Sequence, residues 1–119
     1  MQKKYDLRDR TYKFAVEIVK FCLPLFKNIE LRELGRQLIK SGTSVGANVE
    51  EGDGARTRKE FGNKMTISRN EAKETRFWLR VIMDSEVLHN KTNIEKAKKL
   101  LNESEELIRI LSSIIEKVK

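Results

Sequence analysis

Between residues 61 and 82 the chain places Phe61, Met65, Ser68, Ala72, Thr75, Leu79 and Ile82 at steps of four and three in strict alternation. A seam of apolar and small side chains at that mean spacing is the rhythm of left-handed helix packing. A strand would repeat every two residues instead. Thr57, with Glu60 three residues later, forms a capping box that starts this helix. Such a helix cannot stand alone, so its seam commits the chain to helix-on-helix packing.

The other segments comply. Ile94, Ala97, Leu101, Ser104, Ile108, Leu111, Ile115 and Val118 repeat the pattern near the C-terminus, flanked by Leu100, Leu107 and Ile114. His89, Asn90 and Thr92 mark the preceding turn, with Thr92 or Asn93 as the expected cap. Near the N-terminus, Asp9 or Thr11 is the expected cap of a first helix. Two apolar sets run along that helix: Tyr12, Val16, Val19, Leu23 and Phe26, and beside them Phe14, Ile18, Phe21 and Leu25. Pro24 should kink or end it, with a finish near Lys27. A further helix from Glu30 or Leu31 presents Leu31, Leu34, Leu38, Val45 and Val49, with Gly35, Gly42 and Gly46 at the edge of that face. Interior glycines each cost about 1 kcal/mol of helix propensity. Their use points to a close approach by another helix backbone, with a ligand-contacting groove as the alternative. Gly52 is the expected αL cap. The reading is all-α: an antiparallel up-down-up-down four-helix bundle, one domain spanning residues 1–119.

The helices carry more apolar surface than one bundle core requires. Phe14, Phe21, Ile67, Trp78, Val81, Leu107 and Ile114 are the overflow, and a patch of that kind marks an interface. Self-association is the simplest use; a fatter core with crossed helices is the alternative.

The formal charge is +7 and the isoelectric point about 9.6, within the range of nucleic-acid binders. Residues 55–80 hold eight basic against three acidic side chains, a net of +5. Residues 1–29 hold seven against three, a net of +4, residues 30–54 three against five, and residues 81–119 seven of each. Arg69, Lys73, Arg76 and Arg80 step by four, three and four, so they line one ridge of the third helix, extended by Gly62 and Thr66. Arg56, Arg58 and Lys59 stand at its start. Like charges on one ridge repel, and a phosphate backbone would relieve them. The ridge carries no base-reading signature, so such binding reads backbone or shape. Salt bridges to Glu50, Glu51, Glu105 or Glu106 are the competing use. An anionic membrane surface fits less well, because the apolar faces are committed to packing.

Little else suggests chemistry. One histidine, His89, sits in the turn, and one cysteine, Cys22, on an apolar helix face. No paired cysteines, zinc-protease motif or glycine-rich phosphate loop is present. No catalytic residues, metal or cofactor are expected. No apolar core follows the polar first five residues, so a secretory signal is not expected.

The residues from Leu38 through Ser41, Ser44, Asn48 and Glu51 to Gly52 resemble the signature of the four-helix-bundle proteins first noticed as products of intervening sequences in 23S ribosomal RNA genes. The segment Asn70–Leu79 resembles that family's second block, and Glu105–Ile115 its last helix. The likeness covers nearly the whole chain. It implies a bacterial, cytoplasmic bundle assembled into a ring, typically a homopentamer. It also implies similarity to accessory proteins of diversity-generating retroelements, whose basic rings engage a reverse transcriptase and nucleic acid. By position, Ser44, Asn48, Glu51, Gly52 and Glu74 fit the family pattern, with the implied role of locking the second helix to the third. Glu50 departs from it, standing where many members have Ala, which argues against phosphate binding at that loop. The expectation is a non-enzymatic, self-associating protein that binds RNA or DNA through its backbone. The alternative is a structural or protein-binding oligomer. Phe14, Phe21, Ile67, Trp78 and Val81 are the expected subunit contacts.

Overall fold

In the computed structural model the backbone is described for residues 2–119 and the side chains from Leu7 onward. Lys3 and Lys4, counted in the N-terminal charge, therefore lie outside the described side chains. Four helices follow one another: α1 (Gln2–Cys22), α2 (Arg32–Asp53), α3 (Arg58–Asp84) and α4 (Lys91–Val118), with a 3-10 turn at Leu23–Lys27 after α1. Among the described residues there is no strand. The bundle measures 45 × 21 × 20 Å, about the length of its longest helix at 1.5 Å per residue.

Each helix packs on the next in an antiparallel sense. On α2 and α3, Lys64 pairs with Glu51, Ser68 with Val45 and Thr75 with Ser41, so numbers rise on one helix as they fall on the other. Arg58, at the start of α3, donates to the carbonyls of Lys117 and Val118 at the end of α4. Arg10 of α1 reaches Glu103 of α4. The α1–α4 seam is the least tightly packed of the four.

The α3 seam folds as its spacing predicts. Phe61 is half-buried, and Met65, Ser68, Ala72, Thr75, Leu79 and Ile82 are fully enclosed. Thr57 caps the helix by accepting from the Glu60 N–H at 3.0 Å, and the Glu60 carboxylate accepts from the Arg56 N–H at 2.8 Å. On α4 the buried line is shifted to one side. Leu100 and Leu107 join Ala97, Ser104, Leu111 and Ile115 in the core, leaving Ile94, Leu101, Ile108 and Val118 half-buried. The α4 cap is Asn90, which accepts from the Asn93 N–H, rather than Thr92 or Asn93.

Helix α1 corrects the sequence reading most. It begins well before Asp9 and Thr11, and Thr11 is an interior core residue. Its hydroxyl donates back to the Leu7 carbonyl at 2.9 Å, which satisfies a buried O–H without a partner from another helix. The core stripe is Leu7, Thr11, Phe14, Ile18, Phe21 and Cys22. The other set, with Tyr12 and Leu23 exposed and Val16 and Val19 half-buried, faces outward.

The glycines of α2 do mark a close helix approach, and α1 is the partner. A Cβ on Gly46 would lie 3.1 Å from the Thr11 carbonyl oxygen, and one on Gly42 2.9 Å from both γ carbons of Ile18. Gly52 does not end α2. It is buried inside the last turn beneath Met65, and the cap is Gly54 with φ −94°.

Candidate nucleic-acid interface

The two flanks of α3 carry opposite chemistry. On the flank toward α2, Lys64 pairs with Glu51 at 2.7 Å. Glu71 also lies there, within electrostatic reach of Lys40. Desolvation pushes the Glu71 carboxyl above its ordinary range, with Glu74 adding to the rise and Lys40 opposing it. The flank toward α4 begins at Gly62, against Val118, and carries Thr66, Arg69, Lys73, Arg76 and Arg80 in line. Lys73 and Arg80 are exposed; Arg69 and Arg76 are half-buried.

None of these four cations makes an ion pair or side-chain hydrogen bond with any described residue. Arg69 Nε is enclosed without an acceptor. Some other cations are paired: Arg8 with Asp53, Arg10 with Glu103, Lys13 with Asp9, Lys20 with Glu17, Arg36 with Glu33 and Arg109 with Glu106. Lys91, Lys96, Lys98 and Lys99 at the start of α4 have no ion-pair partner among the described residues. Of the acids weighed as ridge partners, Glu51 is taken by Lys64 and Glu106 by Arg109, while Glu50 and Glu105 are exposed. Among the described residues of one subunit the ridge is therefore unneutralised. From Arg69 to Arg80 it extends about 16 Å by helical rise.

The cations at the α3 start divide. Arg58 is occupied in capping α4 through two carbonyls, at 2.8 and 3.3 Å. Arg56 and Lys59 are exposed, with no side-chain partner among the described residues.

The signature residues are placed differently from their implied role. Ser44 donates to the Lys40 carbonyl at 2.7 Å and Asn48 to the Ser44 carbonyl at 2.8 Å, both within α2. Glu74 accepts from Trp78 Nε1 at 3.2 Å, within α3. Only Glu51, through Lys64, and Gly52, beneath Met65, join the two helices. The buried lock consists of hydroxyls that sequence reasoning assigned to packing alone. Ser68 donates to the Val45 carbonyl at 2.7 Å, and Ser41 meets Thr75 at 2.8 Å.

The expected subunit contacts also divide. Phe14 and Phe21 are 3 % and 4 % exposed and belong to the subunit's own core, as does Leu107. Ile67 is exposed, and Trp78 and Val81 are half-buried. The apolar surface left over lies on Tyr12, Leu23, Ile29, Ile67 and Phe77. Phe77 carried no periodic signal and was not singled out by spacing. Its ring is 54 % exposed and stands edge-to-face with Trp78, 5.1 Å between centroids.

A cavity of about 630 Å³ opens where α1 and α4 meet, with α2 and α3 beneath it. Leu7, Val49, Phe61, Met65, Ile110 and Ile114 are among the residues that line it, and it holds neither histidine nor cysteine. Cys22 is enclosed, and burial pushes its thiol up to about 12. That leaves almost no thiolate for nucleophilic work at neutral pH. Among the described residues no cluster of His, Cys, Asp and Glu could hold a metal ion, and no helix is long and apolar enough to cross a membrane.

The model of the 23S rRNA-intervening sequence protein family matches residues 3–113. The chain belongs to that family. A solved structure supports the placement: a protein of unknown function from the S23 ribosomal protein family of Bacteroides thetaiotaomicron. It is 34 % identical, with a TM-score of 0.82 over 92 % of this chain and 97 % of that one. No curated protein matches the chain. The 23S rRNA-intervening sequence fold in this chain thus combines a hydroxyl-locked α2–α3 pair with a bare cationic flank on α3.

Proposed function

We infer that this protein is a non-enzymatic, self-associating RNA-binding accessory protein of the cytoplasm, holding phosphate backbone along Arg69, Lys73, Arg76 and Arg80. One observation carries the reading: four cations follow one another along a single ridge of α3 with no counter-charge among the described residues, and Arg69 Nε is enclosed without an acceptor. Arg56 and Lys59 extend the positive field toward the α2–α3 loop. Self-association would align several ridges, and multivalent contact raises affinity without new chemistry.

The test is salt dependence. Four phosphate contacts give a slope of about −2.8 in log K against log salt for a single strand, at about 0.7 per contact. Between 50 and 200 mM salt that is a loss of about fiftyfold. Replacing all four ridge cations by Gln should remove most of that slope. RNA binding that ignores both salt and these replacements would sink the reading.

A second reading has its own support: Glu50 and Glu105 are exposed without partners among the described residues and could neutralise a neighbouring subunit's ridge, leaving a scaffold for a protein partner. In that case the four Gln replacements would break the oligomer, seen by native mass spectrometry, rather than release RNA.

A further inference from the structure

Phe77 sits in the middle of the cationic ridge's outer edge. On the surface of a helix, residues three and four apart are neighbours. Phe77 is four after Lys73 and three before Arg80, and it directly follows Arg76. All three cations lack ion-pair partners among the described residues. The ring is more than half open to solvent. It is not loose: Trp78 stands against it with the ring planes 75° apart, and Trp78 is itself held by its N–H to Glu74 at 3.2 Å. The result is a braced aromatic surface with Lys73 and Arg80 along one side and Glu74 and Val81 along the other.

A lone exposed apolar side chain needs no explanation. One bordered by two uncompensated cations does, because an apolar protein partner would have to bury those charges unpaired. A strand of unpaired nucleotides meets both demands at once. Its phosphates answer the cations, and its bases offer a π face that an aromatic ring stacks on whatever their identity. A duplex answers only the cations, since its bases are already stacked on one another.

We propose that Phe77 is a base-stacking platform and that the ligand of the ridge is single-stranded RNA rather than a helix. This inference rests on the phosphate-binding reading of the ridge and adds the substrate class to it. The ring stacks one unpaired base while Lys73, Arg76 and Arg80 hold the flanking phosphates. Trp78, the sole tryptophan, lies close enough to report the event.

The experiment uses the whole protein and a fluorescein-labelled 12-nucleotide RNA, alone or annealed to its complement, at fixed low salt. The expected result is tighter binding of the unpaired strand, with a change in Trp78 emission. Phe77→Leu keeps the apolar bulk and removes the π face. It should weaken single-strand binding on the order of tenfold, within the range of one base–aromatic stack. Duplex affinity and the salt slope should stay unchanged, and Phe77→Tyr should restore binding. Equal affinity for both RNAs, or a Phe77→Leu protein that binds like the parent, overturns the proposal while leaving the ridge reading intact. A Phe77→Leu protein that loses its oligomeric state places the ring in a subunit contact and also overturns it. Preference for a DNA strand of the same sequence overturns the assignment to RNA. If the parent binds no nucleic acid at low salt, the ridge reading itself fails and takes this one with it.

Discussion

The Ser41–Thr75 contact predicts an asymmetric response to mutation that follows from counting protons. Both side chains are enclosed, with their oxygens 2.8 Å apart, and Thr75 Oγ1 also lies 2.8 Å from the Glu71 carbonyl. A carbonyl can only accept, so the single Thr75 proton goes to Glu71 and Ser41 donates to Thr75. Thr75→Val keeps the side-chain size but strands the Ser41 hydroxyl. Its nearest other acceptor, the Leu38 carbonyl, is 3.5 Å away, too long to compensate. A buried donor without a partner costs about 1–3 kcal/mol. Ser41→Ala strands nothing, because Thr75 keeps Glu71. It loses one net hydrogen bond, about 1 kcal/mol, and regains about half of that in helix propensity. Thr75→Val should therefore be the worse single change, and the double variant should be no worse than Thr75→Val alone. Urea unfolding followed by circular dichroism measures all three. Protein concentration must be held fixed, since self-association would add concentration-dependent stability. Additive losses, or Ser41→Ala as the more damaging change, would refute the proton assignment.

Three further outcomes follow from local geometry. Gly42→Ala should destabilise by about 1 kcal/mol net: overpacking against the enclosed Ile18 costs about 1–3 kcal/mol, offset by about 1 kcal/mol of helix propensity. Thermal unfolding reads it, and a stabilised protein would mean that α1 and α2 are not held at this distance. Cys22 should resist thiol reagents at pH 8 in the folded protein and react in urea, because burial pushes its thiol up to about 12; brisk native labelling would contradict the burial. Glu71 has its folded carboxyl raised above the unfolded value, chiefly by desolvation. Its ionisation thus costs stability as pH rises through the carboxylate range. Glu71→Gln should stabilise modestly at pH 7 and lose that advantage below pH 4, as measured by unfolding at both values.

The α3 seam was legible because only one face of that helix is both periodic and free of charge. The α1 face was not. Two apolar sets of similar quality lie side by side there, and the residue that decides between them is Thr11, which looks polar. It is buried because its hydroxyl can satisfy itself on the Leu7 carbonyl and because Gly46 leaves its backbone room to approach. Neither fact is visible in a hydropathy pattern. The cationic ridge was legible because its spacing sorts charge by angle. What the spacing could not say is that the acids remain on other faces. Phe77 stayed hidden because one aromatic residue has no period and its exposure depends on how α3 is rotated against its neighbours.

Moving Phe14 and Phe21 into the core changes which surface self-association must use. Tyr12 on α1 and Leu23 just past its end are 61 % and 56 % exposed, and eleven residues separate them, about 16 Å along a helix. Val16 and Val19, half-buried, fill the interval. An outward strip of that length with no charge among those four side chains is what a subunit contact requires. Tyr12→Glu with Leu23→Glu should leave the subunit fold nearly intact, since surface changes away from a core stay within about 0.5 kcal/mol. In an interface the same charges would be buried unpaired, at several kcal/mol, enough to weaken association a hundredfold or more. Native mass spectrometry should then show dissociated, helical subunits. Phe14→Ala, by contrast, should unfold them, losing about 3–5 kcal/mol of core. If the Tyr12–Leu23 double variant keeps the parent's oligomeric mass, the strip is not the contact and the exposed Ile67 on α3 becomes the surface to alter next. If the parent itself runs as one subunit, this apolar surface has some other use and the aligned-ridge argument for tight RNA binding falls.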